Sequence, residues 1–107
     1  MALDLKDDQS LIAQYEKHHQ AVWPGVISAI KDSGIIDMEI YRTGSRLFMI
    51  LETQSDFSFE RKSEADKSNP EVQLWEELMS GFQQSLPGAT PGTKWVLMNK
   101  VFKLTDQ

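Results

Sequence analysis

The residues of this chain best suited to chemistry are crowded into ten positions, Tyr15-Glu16-Lys17-His18-His19-Gln20-Ala21-Val22-Trp23-Pro24. Both histidines lie there, with one of the two tyrosines and one of the three tryptophans. Imidazole is the side chain that exchanges protons near neutral pH. The stretch therefore points to general acid–base work on a small molecule. Pro24 has no N–H to donate, and its ring clashes with the carbonyl four residues back. It also pushes Trp23 away from helical dihedrals. A helix arriving from Ser10 must then end within residues 18–21, and a second begins at Pro24, a favoured first-turn position. The histidine pair thus sits at a helix C-terminus, where the helix dipole favours the protonated ring and a general-acid role.

Tyr15 and His19, four residues apart, share one helix face and can line one pocket. His18, beside Lys17, reads as a solvated helix end. Adjacent helical residues point about 100° apart, and no third ligand is set by spacing, so no metal site is expected. Trp75 reads first as core and second as a stacking platform for a sugar ring. Glu76 reads as an exposed helix carboxylate, Trp23 as a packing anchor, and Arg42 and Arg46 as surface residues. There is no phosphate loop and no nucleophile elbow.

These side chains need one scaffold. The 107 residues make a single domain, 1–107. A net charge of −5 argues against nucleic acid as a partner, which needs a basic patch. With no cysteine, a disulfide framework and a thiolate metal site are ruled out. The first residues carry no secretion signal, and no apolar run reaches the roughly 18 residues of a membrane span. A cytoplasmic protein that does not engage membranes is expected.

Residues 2–5 alternate apolar and polar as a short strand does, and Asp7, Asp8 and Ser10 are helix-cap candidates. Gly34 ends the second helix. Runs 35–42 and 46–53 flank Thr43-Gly44-Ser45 as an antiparallel hairpin. Residues 47–51 are apolar at every position. A strand apolar on both faces is covered on both, which points to dimerisation through the sheet. Asp56 is expected to cap a helix over 57–67, and Asn69 another from Pro70. A last strand is expected over 94–104. The order β, broken α, β, β, broken α, β is the ferredoxin-like split βαβ pattern. It describes an α+β fold with a four-stranded antiparallel sheet and helices on one face. Two sheets packed face to face would form a dimeric α/β barrel.

The pattern Tyr15-x-x-x-His19-x-x-x-Trp23-Pro24 resembles the L-rhamnose mutarotase family, which includes L-fucose mutarotase-like members. The resemblance continues through Gly34, Met38-Glu39-Ile40-Tyr41-Arg42, Arg46-Leu47-Phe48-Met49-Ile50, Asn69-Pro70, Gln73-x-Trp75-x-x-x-Met79 and Lys94-Trp95-Val96-Leu97-Met98. It covers nearly the whole chain. It implies interconversion of the α and β anomers of a 6-deoxy-L-sugar by a homodimer, with no cofactor and no metal. The family's catalytic histidine falls on His19, which would deliver a proton to the ring oxygen. Tyr15 and Trp75 fall on substrate-contacting positions. Glu76 stands where the rhamnose enzymes carry a second tryptophan, and Met38 where they carry a tyrosine. Both are sugar-contacting positions, and a carboxylate at one of them suits a sugar with differently placed hydroxyls, such as L-fucose. The fold also hosts cofactor-independent and haem-handling monooxygenases, and it is compatible with a non-catalytic sugar-binding module.

Overall fold

The computed structural model describes residues 1–107. The elements run β1 (Ala2–Leu5), α1 (Gln9–His18), α2 (Pro24–Asp32), β2 (Ile35–Thr43), β3 (Arg46–Thr53), α3 (Phe59–Lys67), α4 (Pro70–Ser80) and β4 (Gln83–Gln84). A short 3₁₀ turn follows at Leu104–Asp106. The strands form one antiparallel sheet in the order β2-β3-β1-β4. This is the split βαβ arrangement that the element order implies.

Local chemistry accounts for the boundaries. Asp8 caps α1 by accepting the Leu11 N–H at 3.0 Å. Asn69 Oδ1 accepts from the N–H groups of both Glu71 and Val72 at the start of α4. The cap expected of Asp56 is supplied instead by Ser58, whose hydroxyl accepts from Arg61 N–H, so α3 starts at Phe59. Gly34, at φ +95°, turns the chain out of α2, and Gly44, at φ +55°, makes the β2–β3 turn.

Side chains alternate across the sheet. Leu3 and Leu5 of β1 and Leu47 of β3 are almost fully buried on the helix side. Leu5 and Leu47 pack with Tyr15 of α1, Val26 of α2, and Trp75 and Met79 of α4. On the opposite side, Phe48 sits between Ala2 and Tyr41 in the register, and Phe48, Ile50 and Tyr41 are 41%, 46% and 54% exposed. Arg46 clasps Asp4 there with two hydrogen bonds, of 2.8 and 3.1 Å. Arg42 is likewise engaged, pairing with Glu16 of α1.

The expected last strand over 94–104 does not form in the single chain. The edge position beside β1 is taken by β4, at Gln83–Gln84, and then by one isolated bridge between Ala2 and Val96. Residues 85–94 loop out between them, their neck closed by Ser85 Oγ donating to the Thr93 carbonyl. Past Val96 there is no neighbouring strand, so the alternating pattern has nothing to pair with.

Leu47→Ala is expected to destabilise the fold by about 2–5 kcal/mol, because the site lies between sheet and helices and cannot collapse. Asn69→Ala is expected to cost about 1 kcal/mol, the worth of a cap. Urea unfolding of both variants checks the ranking, and equal losses would contradict this account of the core.

Candidate functional site

The site grows out of the break between α1 and α2. Helix α1 stops at His18, and His19 is its C-cap, with φ −79° and ψ −6°. Trp23, at ψ 136°, is already extended ahead of Pro24. The last carbonyls of a helix have no partner within it. His19 supplies one. Its Nδ1 lies 2.8 Å from the carbonyl oxygen of Tyr15, and its backbone N–H also reaches that oxygen, at 3.3 Å. A carbonyl can only accept, so Nδ1 carries the hydrogen. The neutral ring then offers a lone pair at Nε2.

That bond folds the imidazole back over the Tyr15 ring, with centroids 4.2 Å apart. Trp75 of α4 forms the opposite wall, 5.5 Å from the His19 ring. Trp23 meets Trp75 edge-on at 5.2 Å. His18 stands against Trp75 at 6.5 Å and Phe82 at 5.6 Å. The solvated position expected of His18 is therefore not what the fold produces. At a helix terminus the 100° separation of neighbours is relaxed, and both imidazoles reach the same indole. The packing-anchor reading of Trp23 matches its position.

Burial decides the ionisation of Tyr15 and His19. Desolvation pushes His19 below its ordinary value of 6.5, aided by the nearby charge of His18 and opposed by the Tyr15 carbonyl. This runs against the helix dipole, which favours the cation at this end. Tyr15 is pushed up to about 12 by burial alone, so its phenol stays protonated and able to donate. A neutral imidazole that accepts and a phenol that donates thus stand side by side.

The structure brings Tyr15, His19 and Trp75 together and leaves two other expected residues outside. Glu76 points along the exposed side of α4, with Gln73 Nε2 at 3.4 Å, and lines an open groove of about 610 Å³ with Pro70, Glu77 and Lys94. Met38 is half-buried in β2, opposite Leu51, and lies outside the aromatic cluster. Trp75 is only 9% exposed, so it acts as a wall more than an open stacking platform. Phe82 is the member that sequence reasoning did not select. Its spacing continues the apolar stripe of α4, and nothing marks it as a neighbour of Tyr15 and His18.

A family model described as L-rhamnose mutarotase matches residues 1–104. The chain is 42% identical over 106 residues to an L-fucose mutarotase of Xanthomonas campestris, covering 97% of this chain and 85% of that protein. It is 26% identical over 93 residues to an L-rhamnose mutarotase of Acidiphilium cryptum, covering 85% and 86% respectively. The crystal structure of an L-rhamnose mutarotase from Formosa agariphila superposes with a TM-score of 0.64 at 19% identity, covering 95% of this chain and 94% of that one.

The folded chain resists a proton on His19 that the unfolded chain accepts near pH 6.5. The stabilising contribution of the buried neutral ring is therefore whole above 6.5, and it is lost as pH falls from there through the folded value. NMR titration of the His19 ring protons is expected to give a midpoint below 6.5, and a midpoint at or above it would contradict burial as the dominant cause.

Proposed function

The chain belongs to the L-rhamnose mutarotase family, and from that premise we propose that it interconverts the α and β anomers of a 6-deoxy-L-hexose, L-fucose ahead of L-rhamnose. Its activity class is that of a sugar mutarotase, a carbohydrate isomerase. Sequence likeness supports fucose: the relative named for it is 42% identical, against 26–32% for three named for rhamnose.

The observation that carries the mechanism is the 2.8 Å bond from His19 Nδ1–H to the Tyr15 carbonyl. It orients the ring and leaves Nε2 as the exchanging atom. Ring opening removes the proton from the anomeric hydroxyl and breaks the bond between C1 and the ring oxygen, whose electron pair takes up a proton. In this proposal neutral His19 Nε2 accepts the anomeric proton, and the Tyr15 phenol donates toward the ring oxygen. Rotation about C1–C2 then presents the other face of the aldehyde. Closure runs in reverse, with the His19 imidazolium returning its proton as general acid. The acid role expected from the sequence thus belongs to the closing half, and burial, which favours the neutral ring, supports the base role in the opening half. Trp75 walls the site, and Glu76 takes no part in proton transfer. A cytoplasmic location suits the absence of cysteine.

We also assign the open face of the sheet to a second copy of the chain. Phe48, Ile50 and Tyr41 lie on the face that no helix covers. Light scattering is expected to give about twice 12.2 kDa, and the monomer mass would remove this part of the proposal.

Saturation transfer between the α and β H1 signals tests the activity. L-fucose exchange is expected to be accelerated, and His19→Ala to lose about 10²–10⁴-fold. The rate is expected to rise with pH through the His19 midpoint and level off above it, whereas an obligate imidazolium acid in the opening step gives the opposite slope. Exchange at the buffer rate with both sugars would leave only a sugar-binding role.

A further inference from the structure

Gly25, the residue after Pro24, lies against a carboxylate of another helix. A Cβ built on it would fall on the carboxyl group of Glu71, and the three atoms nearest that position all belong to Glu71. Only a residue without a side chain lets a carboxylate come this near the backbone. Gly25 is not among the glycines at positive φ. Close approach, rather than backbone freedom, is what a glycine allows here.

The seat suits an anion. Helix α2 starts at Trp23 with no side-chain cap. Val26 and Ile27 donate to the Trp23 carbonyl, Pro24 has no N–H, and the Gly25 N–H has no backbone acceptor. Glu71 itself stands in the first turn of α4. Its carboxylate therefore lies where the positive ends of two helices meet. It is in none of the ion pairs of the chain.

The contact also joins the two walls of the aromatic cluster. Gly25 is two residues past Trp23, at the break that holds His19. Glu71 is four residues before Trp75, one turn away on the same side of α4. Between these points Trp23 meets Trp75 at 5.2 Å, and His19 meets Trp75 at 5.5 Å. We propose that Glu71 is a positioning residue: seated on Gly25, its carboxylate fixes the α1–α2 break against α4 and so holds His19 and Tyr15 in place against Trp75. Glu71 touches neither the sugar nor a moving proton, and it acts through Trp23 and Trp75. The role rests on the acid–base reading of Tyr15 and His19 given above. Proton transfer depends on placement, and an error of about 1 Å costs about 10²-fold.

Gly25→Ala tests this. The helical backbone accepts alanine, and the new methyl displaces the flexible end of Glu71. The urea midpoint is expected to stay or rise, while kcat for L-fucose anomer exchange falls about tenfold or more with a smaller change in KM. Glu71→Ala is expected to show a similar loss of kcat. The double variant is expected to lose no more than either single one, because both remove the same contact. The His19 midpoint, read by NMR without sugar, reports the same geometry. Tyr15 and His18 of α1 are the titratable groups facing that ring, and α4 presents the Trp75 indole. Loosening the cluster readmits water, so both single variants are expected to move the midpoint up toward 6.5. Loss of the Glu71 charge alone would move it down. Full kcat or an unmoved midpoint in Gly25→Ala would overturn the assignment, as would losses that multiply in the double variant. A urea midpoint that falls in step with kcat would make the contact one of stability only. If the native protein leaves both sugars at the buffer rate, the mutarotase reading fails by itself, and the His19 midpoint alone decides the placement.

Discussion

Helix α1 has to stop before Pro24, and the way its end is satisfied organises the rest of the site. A terminal carbonyl without a helical partner needs a donor. The chain provides an imidazole one turn later, at His19. That single bond sets the tautomer, leaves the lone pair on Nε2 and lays the ring over Tyr15. It also frees Trp23 to meet Trp75, which ties the break to the far helix α4. Remove the proline and α1 would run on, carrying His18 and His19 around the helix and away from the indole.

At this terminus two electrostatic effects compete. The helix dipole contributes roughly 0.3–1 kcal/mol toward the cation when exposed and is screened by water. Burial acts on the charged form directly, and around His19 two aromatic neighbours, Tyr15 and Trp75, have displaced that water. Burial prevails. The same aromatic enclosure keeps the Tyr15 phenol protonated. The aromatic cluster therefore holds an acceptor and a donor of proton at neutral pH, stacked directly on one another. That combination suits opening and closing a neutral hemiacetal, where one proton is taken and another is given.

The sheet shows a second division of labour. Its helix side is closed by Leu3, Leu5 and Leu47 and stands on its own. Its other side mixes the Asp4–Arg46 clasp with exposed Phe48 and Ile50. A surface built for water alone has no use for these apolar side chains. The site and the open face are linked through β2 and β3, since Arg42 of β2 reaches Glu16 of α1, one residue past Tyr15.

Much of this was legible in the residues because it follows from local rules. Pro24 breaks a helix wherever it stands, Gly34 and Gly44 mark turns that other residues resist, Asn69-Pro70 opens a helix, and the run 46–53, rich in strand-forming residues, makes a strand. The pairing of Tyr15 with His19 follows from helical spacing alone. What the tertiary structure decided depends on atoms far along the chain. The burial of His19 depends in part on Trp75, 56 positions away, and not on its own helix alone. The placing of His18 against Phe82 needed α4 to end where it does. Glu76, one residue from Trp75, faces away because consecutive helical side chains diverge while only one direction leads to the core. The run 94–104 has the pattern of a strand, but a strand exists only beside another, and in the single chain the ladder ends at Val96. Sequence by itself determines which hydrogen bonds a segment can make, and the assembled fold determines which partners are there to make them.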